Sequence, residues 1–307
     1  MAARIDPVGL VSRWKMDEEL LKIKAPAKVN FYLEVTGKRP DGYHGLKMLM
    51  APVSIYDELT LEKLEEDGRI EVFAEGSPFV ASGEANICHR AAGFYFQETG
   101  ASGGVRIRVK KKIPVGAGMG GGSSDAASVI MGLEKLYVKT LSPEGVIRSA
   151  FGVGADVPFF FARGWAWVEG VGEIVRPVKA VETLWLTVIH PGVFLSTASV
   201  FSRHTKVLTS DPLLPNIAQL DFRGVAGVLR NDLERPAMEL SPEIGEALDA
   251  LRKAGGEAAA MTGSGSAVFA LFPSRGEAER ARKTVSKSAP AKWAILTACT
   301  LGEVSLF

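Results

Sequence analysis

The chain has 307 residues, 47% apolar and 23% charged, enough to bury a core divided between two domains. A formal net charge of +1 gives no support for a nucleic-acid or polyanion binder, and no apolar run reaches the ~18–20 residues of a membrane helix. The two cysteines, Cys88 and Cys299, stand far apart without metal spacing, which excludes a disulfide framework and fits reduced thiols in a cytoplasmic protein.

Residues 1–21 carry Asp6, Arg13 and Asp17-Glu18-Glu19 with no continuous apolar core. They do not read as a secretory signal. Val29, Phe31, Leu33 and Val35 then alternate with Lys28, Asn30, Tyr32 and Glu34, which predicts a half-buried strand. Lys28 and Asn30 project from one face of it. Pro40-Asp41-Gly42 is a turn, because proline presets φ and glycine permits φ > 0. Val105, Ile107 and Val109 predict a second alternating strand, and Lys110-Lys111-Lys112 reads as its solvated end, with electrostatic steering of an anionic nucleotide as the alternative.

The most informative stretch follows, from Pro114 to Ala127. Gly116, Gly118, Gly120, Gly121 and Gly122 let the backbone approach a ligand closely, and Ser123, Ser124 and Asp125 suit the cap or first turn of a helix. Ala126, Val129, Ile130, Leu133 and Tyr137 recur at helical spacing, which predicts a helix with one buried face. Unpaired N–H groups and a partial positive charge at a helix start make an anion site suited to phosphate. A Walker A loop is excluded, because no Lys-Ser/Thr follows the glycines. Gly116-x-Gly118-x-x-Gly121 has the dinucleotide spacing but lacks the early βαβ unit and the acidic residue about 20 positions on.

Farther along, Pro158 in Gly154-Ala-Asp-Val-Pro158 biases Val157 towards an extended backbone. Asp156 there is open to two readings, an N-cap for Val157–Phe161 or a chemically active carboxylate. Trp165, Trp167 and the 170–172 segment predict a strand and tight turn. Leu184–Ile189 opens the second half as a strand, Glu243–Ala254 is a helix stopped by Gly255-Gly256, Ala267–Phe272 is a buried strand, and Glu277–Ser286 is a helix. Strands and helices mix without a βαβ rhythm, so the class is α+β.

Pro-x-x-x-Gly-Met-Gly-Gly-Gly-Ser-Ser-Asp-Ala-Ala resembles the ATP-phosphate loop of the GHMP kinases (galactokinase, homoserine kinase, mevalonate kinase and relatives). Ala25-Pro-Ala-Lys-Val-Asn30 resembles their first motif and Ala260-Met-Thr-Gly-Ser-Gly-Ser-Ala-Val-Phe269 their third, in the expected order. Arg39-Pro-Asp-Gly-Tyr-His44 and Gly154-Ala-Asp-Val-Pro-Phe159 are similar to one branch, whose substrate is 4-diphosphocytidyl-2-C-methyl-D-erythritol.

The resemblance implies a two-domain α+β fold, with an ATP-binding domain in 1–180 (1–21 an extension) and an α/β-sandwich domain in 181–307. It implies ATP-dependent phosphorylation of the substrate's 2-hydroxyl, in non-mevalonate isoprenoid precursor biosynthesis. Asp156 would be the base and Lys28 its charge-stabilising partner. Pro114, Gly116, Gly118, Gly120, Gly121, Gly122, Ser123 and Ser124 would hold ATP. Magnesium would be carried chiefly by ATP oxygens, with no protein ligand. Asn30, Tyr43, His44, Thr197, Phe201, Gly263, Ser264 and Gly265 would meet the substrate, with Tyr43 and His44 gripping the cytosine and Phe201 on its other face. The expected partner is this small molecule alone, with no nucleic acid, membrane or obligate protein.

Overall fold

Two long strands, β1 (Leu20–Lys38) and β2 (His44–Leu64), pair antiparallel along most of their length. The structure is a computed structural model that describes residues 20–40, 42–204, 220–256 and 258–307. Residues 1–19 and position Asp41 of the predicted turn lie outside them.

The register of β1 on β2 slips between Pro26 and Ala27 and again between Asn30 and Tyr32. A bulge adds one residue to one strand and so changes which face each side chain meets. Ile23, Ala25, Leu33 and Val35 accordingly join one core cluster, while Ala27, Val29 and Phe31 join another with Leu186 and Phe269 of the second half. The expected half-buried strand is therefore corrected: every residue from Ala25 to Val35 is buried, because protein covers both faces.

β3 (Ile70–Glu75), α1 (Ile87–Thr99) and β4 (Gly104–Lys110) follow. The Asn86 side chain caps α1 by accepting from Cys88 N–H, and Gly100 ends the helix in the left-handed region at φ 58°. Next come α2 (Gly121–Tyr137), α3 (Pro143–Gly152), α4 (Val157–Phe161) and a hairpin of β5 (Ala166–Gly170) and β6 (Ile174–Pro177). Helix α2 is buried on all sides from Ser124 to Leu133, not on one stripe. It packs between α1, α4 and the β1–β2 pair, so no face of this stretch meets water, whereas Gly122 in the first turn is exposed.

The second half contains β7 (Trp185–His190), α5 (Thr197–Ser202), α6 (Phe222–Val228), β8 (Arg230–Asn231) and α7 (Glu234–Leu240). It ends with α8 (Glu243–Lys253), β9 (Ala259–Met261), β10 (Val268–Phe272), α9 (Arg275–Ser286) and β11 (Ala294–Cys299). Strands β11-β7-β10-β9 make an antiparallel sheet. The larger sheet has the order β3-β4-β2-β1-β8, with β5 and β6 attached through β2. The fold is α+β, as the mixed pattern implied.

Two crossings bind the halves. Strand β8 leaves the second half to pair in parallel with β1 at Tyr32 and Leu33. Residues 300–306 return to the first half, where Leu301 N–H donates to Pro52 O (2.9 Å), Val304 N–H to Arg163 O (2.8 Å), and Leu306 O accepts from Lys24 N–H (3.1 Å).

Candidate active site

The glycine loop is held from both sides. Lys28 N–H of β1 donates to Met119 O (2.9 Å), and Ala267 N–H, just before β10, donates to Ala117 O (3.1 Å). Gly116, Gly118 and Gly120 have φ of 70°, 71° and 68°, the left-handed region that glycine enters without steric cost. Helix α2 starts at Gly121 with Gly120 as its N-cap, so Ser123 and Ser124 stand inside the first turn. The N–H groups of Gly121, Gly122 and Ser123 have no intrahelical acceptor, and they open towards the loop as an anion cradle.

Two clefts meet at this loop. One, of about 390 Å³, is lined by Pro114, Gly116, Gly118, Gly120, Gly121, Gly122 and Ser123 together with Phe79, Asn86 and Ile87. The other, of about 680 Å³, holds Lys28, Asn30, Asp156, Tyr43, His44, Thr197, Phe201 and the loop Gly263-Ser264-Gly265. Gly116, Gly118, Gly120 and Ser123 border both. Ser124 is the exception: it is fully buried, lines a small internal cavity with Arg163 and Leu306, and its hydroxyl has no protein partner.

Lys28 and Asn30 do share a face, and Lys28 Nζ donates to Asn30 Oδ1 (2.6 Å). Asn30 Oδ1 also accepts from Gly263 N–H (3.0 Å) and Thr262 Oγ1 (3.3 Å), which ties the third glycine loop to the ammonium. Asn231 Nδ2 steadies the same loop by donating to Met261 O and Gly263 O, both 2.8 Å. Asn231 was not expected in this role; its one signal is the polar run Arg230-Asn231-Asp232 beside apolar neighbours.

Asp156 occupies the N-cap position of α4, yet its side chain makes no cap hydrogen bond. It faces Lys28 instead, with Oδ2 at 3.6 Å from Nζ. Burial lowers the Lys28 pKa from the ordinary lysine value, while the charge and hydrogen bond of Asp156 pull it back up. An ammonium held in a dry wall beside a carboxylate that reaches the cleft is an arrangement for moving a proton and stabilising the negative charge left behind.

At the other end of the cleft, the His44 ring lies flat against Phe201, with centroids 4.8 Å apart and planes inclined by 23°. His44 thus occupies a face of Phe201 itself. Burial, then the charges of Lys38 and His204, lower the His44 pKa, which favours the neutral ring. Tyr43 is exposed at the rim, and Thr197 Oγ1 meets Ser264 Oγ at 2.9 Å across the opening.

The lysine run differs from expectation. Lys110 and Lys112 are exposed, but Lys111 is buried between two carboxylates. Its ammonium pairs with Asp57 and with Asp125 Oδ2, the latter at 2.6 Å. Opposite charge from two long-range partners offsets the desolvation that would otherwise keep a lysine at the surface.

Models of the GHMP kinase N-terminal domain and C-terminal region match residues 86–164 and 213–291. The 4-diphosphocytidyl-2-C-methyl-D-erythritol kinase of Geobacter metallireducens is 41% identical over 271 residues, covering 87% of this chain and 95% of that protein. The chain belongs to the GHMP kinases, in the 4-diphosphocytidyl-2-C-methyl-D-erythritol kinase family. A crystal structure of 4-(cytidine 5'-diphospho)-2C-methyl-D-erythritol kinase superposes with a TM-score of 0.76 at 36% identity, over 92% of this chain and 100% of that one. Homoserine kinase from Cytophaga hutchinsonii superposes at 0.72 with 20% identity, over 96% and 98% of the two chains, and shows the shared fold alone. As a GHMP kinase the protein is a small-molecule kinase that uses ATP. Among the described residues, no helix is long and apolar enough to cross a membrane.

Proposed function

We propose that this GHMP kinase transfers the γ-phosphoryl group of ATP to the 2-hydroxyl of 4-diphosphocytidyl-2-C-methyl-D-erythritol, in the cytoplasm, as a step of non-mevalonate isoprenoid precursor synthesis. The observation that carries the reading is the Lys28–Asp156 pair, which lines the cleft that adjoins the phosphate cradle. Asp156 takes the proton of the 2-hydroxyl as its oxygen attacks the γ-phosphorus. The bond to the β,γ-bridging oxygen breaks, and ADP leaves. Lys28 stabilises the charge developing on the attacking oxygen, and Asn30 fixes where the ammonium sits.

Magnesium belongs to the same reading. The Ser123 hydroxyl and the Asp156 carboxylate are oxygen donors of the kind it accepts, and both line the larger cleft. Among the described residues, no group of three or more His, Cys, Asp or Glu gathers as a metal site. Magnesium is read as carried chiefly by ATP oxygens, where it would neutralise phosphate charge, and no protein ligand is assigned. The division into residues 1–180 and 181–307 is also part of the proposal: the cradle and the proposed base come from the first, the closing glycine loop and Phe201 from the second.

The test is ADP release with Mg-ATP and each of three alcohols: the diphosphocytidyl methylerythritol, homoserine and mevalonate. Turnover with the first alone supports the reading, while turnover with either of the others in its place sinks the cytosine assignment. ATP binding without any turnover would instead favour a nucleotide-binding regulator. A companion prediction concerns Phe201→Ala. Base–aromatic stacking is worth ~1–3 kcal/mol, so KM for the cytidyl substrate should rise roughly tenfold or more, with KM for ATP unchanged. Equal KM values for the cytidyl substrate in variant and parent would remove Phe201 from the base site.

A further inference from the structure

The buried charge cluster around Lys111 is not used by the mechanism above. Its three members come from distant parts of the chain: Asp57 from the middle of β2, Lys111 from just beyond β4, and Asp125 from the first turns of α2. Asp57 is fully buried, and Lys111 and Asp125 are 8% and 2% exposed. Asp57 Oδ1 accepts from the backbone N–H groups of Lys112 (2.5 Å) and Ile113 (2.9 Å), the two residues immediately before Pro114. Its other oxygen takes the Lys111 ammonium, which reaches on to Asp125 Oδ2 at 2.6 Å.

Asp57 therefore grips the segment entering the glycine loop, and through Lys111 it also grips the helix leaving it. Gly121 lies against the same ammonium, since a Cβ placed there would stand 3.3 Å from Lys111 Nζ. Asp125 Oδ1 is buried without a protein partner. Burial and the neighbouring Asp57 push the Asp125 carboxyl up to about 8, against the pull of the Lys111 ammonium. Two acidic side chains against one ammonium is a costly arrangement to bury, and an apolar filling is often at least as stable.

We propose that Asp57, Lys111 and Asp125 form an ionic clasp that closes the base of the phosphate loop and holds residues 114–124 in the conformation that receives ATP. They are positioning residues, acting through the loop's backbone N–H groups. The proposal rests on the reading of this loop as the ATP cradle.

The test uses the full chain as Lys111→Met and Lys111→Arg. Two readouts are taken: hydrogen exchange of the amides in 114–124 without nucleotide, and calorimetric titration with Mg-ATP. Lys111→Met should speed exchange in 114–124 and weaken ATP binding ~10- to 100-fold, the scale of misplaced binding groups, with peptides around Trp185–His190 unchanged. Lys111→Arg should recover most of both. Unchanged exchange and unchanged ATP affinity in folded Lys111→Met would overturn the clasp. Faster exchange with unchanged ATP affinity would overturn the proposal through its premise, that this loop holds ATP. Should Lys111→Met not fold, Asp125→Asn keeps the shape and the Lys111–Asp57 pair. It should then give smaller changes in the same direction, and no change in either readout would overturn the clasp as well.

Discussion

Asp156→Asn should lower kcat by ~10²–10⁴-fold while leaving ATP affinity within about twofold of the parent, because acid–base groups act on the transition state rather than on nucleotide binding. The substitution is isosteric, and the parent side chain caps nothing, so helix α4 loses no hydrogen bond. Stability should therefore stay near that of the parent. The pH profile carries a second, independent sign. Lys28 already has a lowered pKa, and the charge of Asp156 pulls it back up. Removing that charge lowers the Lys28 pKa further, so the residual activity should begin its alkaline fall at a lower pH than in the parent. Single-turnover rates across pH, with nucleotide affinity measured in parallel, check both. A variant that keeps near-parental kcat would take the base role away from Asp156.

Gly118→Ala is expected to be nearly as damaging, for a different reason. A Cβ at residue 118 would stand 2.3 Å from Thr262 O and 2.9 Å from Gly265 O, both backbone atoms of the closing loop. The residue also sits at φ 71°, where an alanine is strained. Neither loop can yield alone, because Asn30 ties Gly263 to Lys28 while Lys28 N–H holds Met119. The two glycine loops must therefore part, at a cost of about 1–3 kcal/mol in stability and ~10²-fold in kcat/KM. Gly68→Ala isolates the strain, since residue 68 has φ 74° but nothing within 4 Å of a Cβ. It should cost about 1 kcal/mol and leave activity intact. Thermal melting and steady-state kinetics on both variants make the comparison. Equal effects would mean that backbone strain, not the approach of the two loops, sets the cost at Gly118.

Much of the site could be read from the chain because its chemistry is local. A run of glycines before an apolar helix, an Asp ahead of a Val-Pro, and Lys and Asn two apart on a strand are all short-range patterns. The long strand β2 went unread. Pro52 argues against a central strand, since it has no N–H to give. The structure shows how it is tolerated: β4 covers β2 only at Glu58–Leu64 and β5 only at Leu46–Met50, so Pro52 falls in the gap between them.

The Lys111 cluster was equally hidden, because Asp57 lies 54 positions away and sequence spacing carries no trace of that encounter. A basic run normally means a solvated end. Tertiary pairing reversed that for its middle member alone. The stacking of His44 on Phe201 was unread for the same reason, as the two rings meet only after the halves are assembled.

The return of residues 300–306 has a consequence for how the protein is made. The gap beside Pro52 is filled by Leu301, and the wall below α2 is completed by Val304 and Leu306, both 6% exposed. A ribosome releases the cradle and the proposed base more than a hundred residues before it releases these. Until then, Lys24 N–H and the carbonyls of Pro52 and Arg163 lack their partners, and the floor beneath Ser124 stands open. The nascent first half thus carries unpaired backbone groups and an open floor throughout synthesis of the second, and its packing is completed only as translation reaches Leu306.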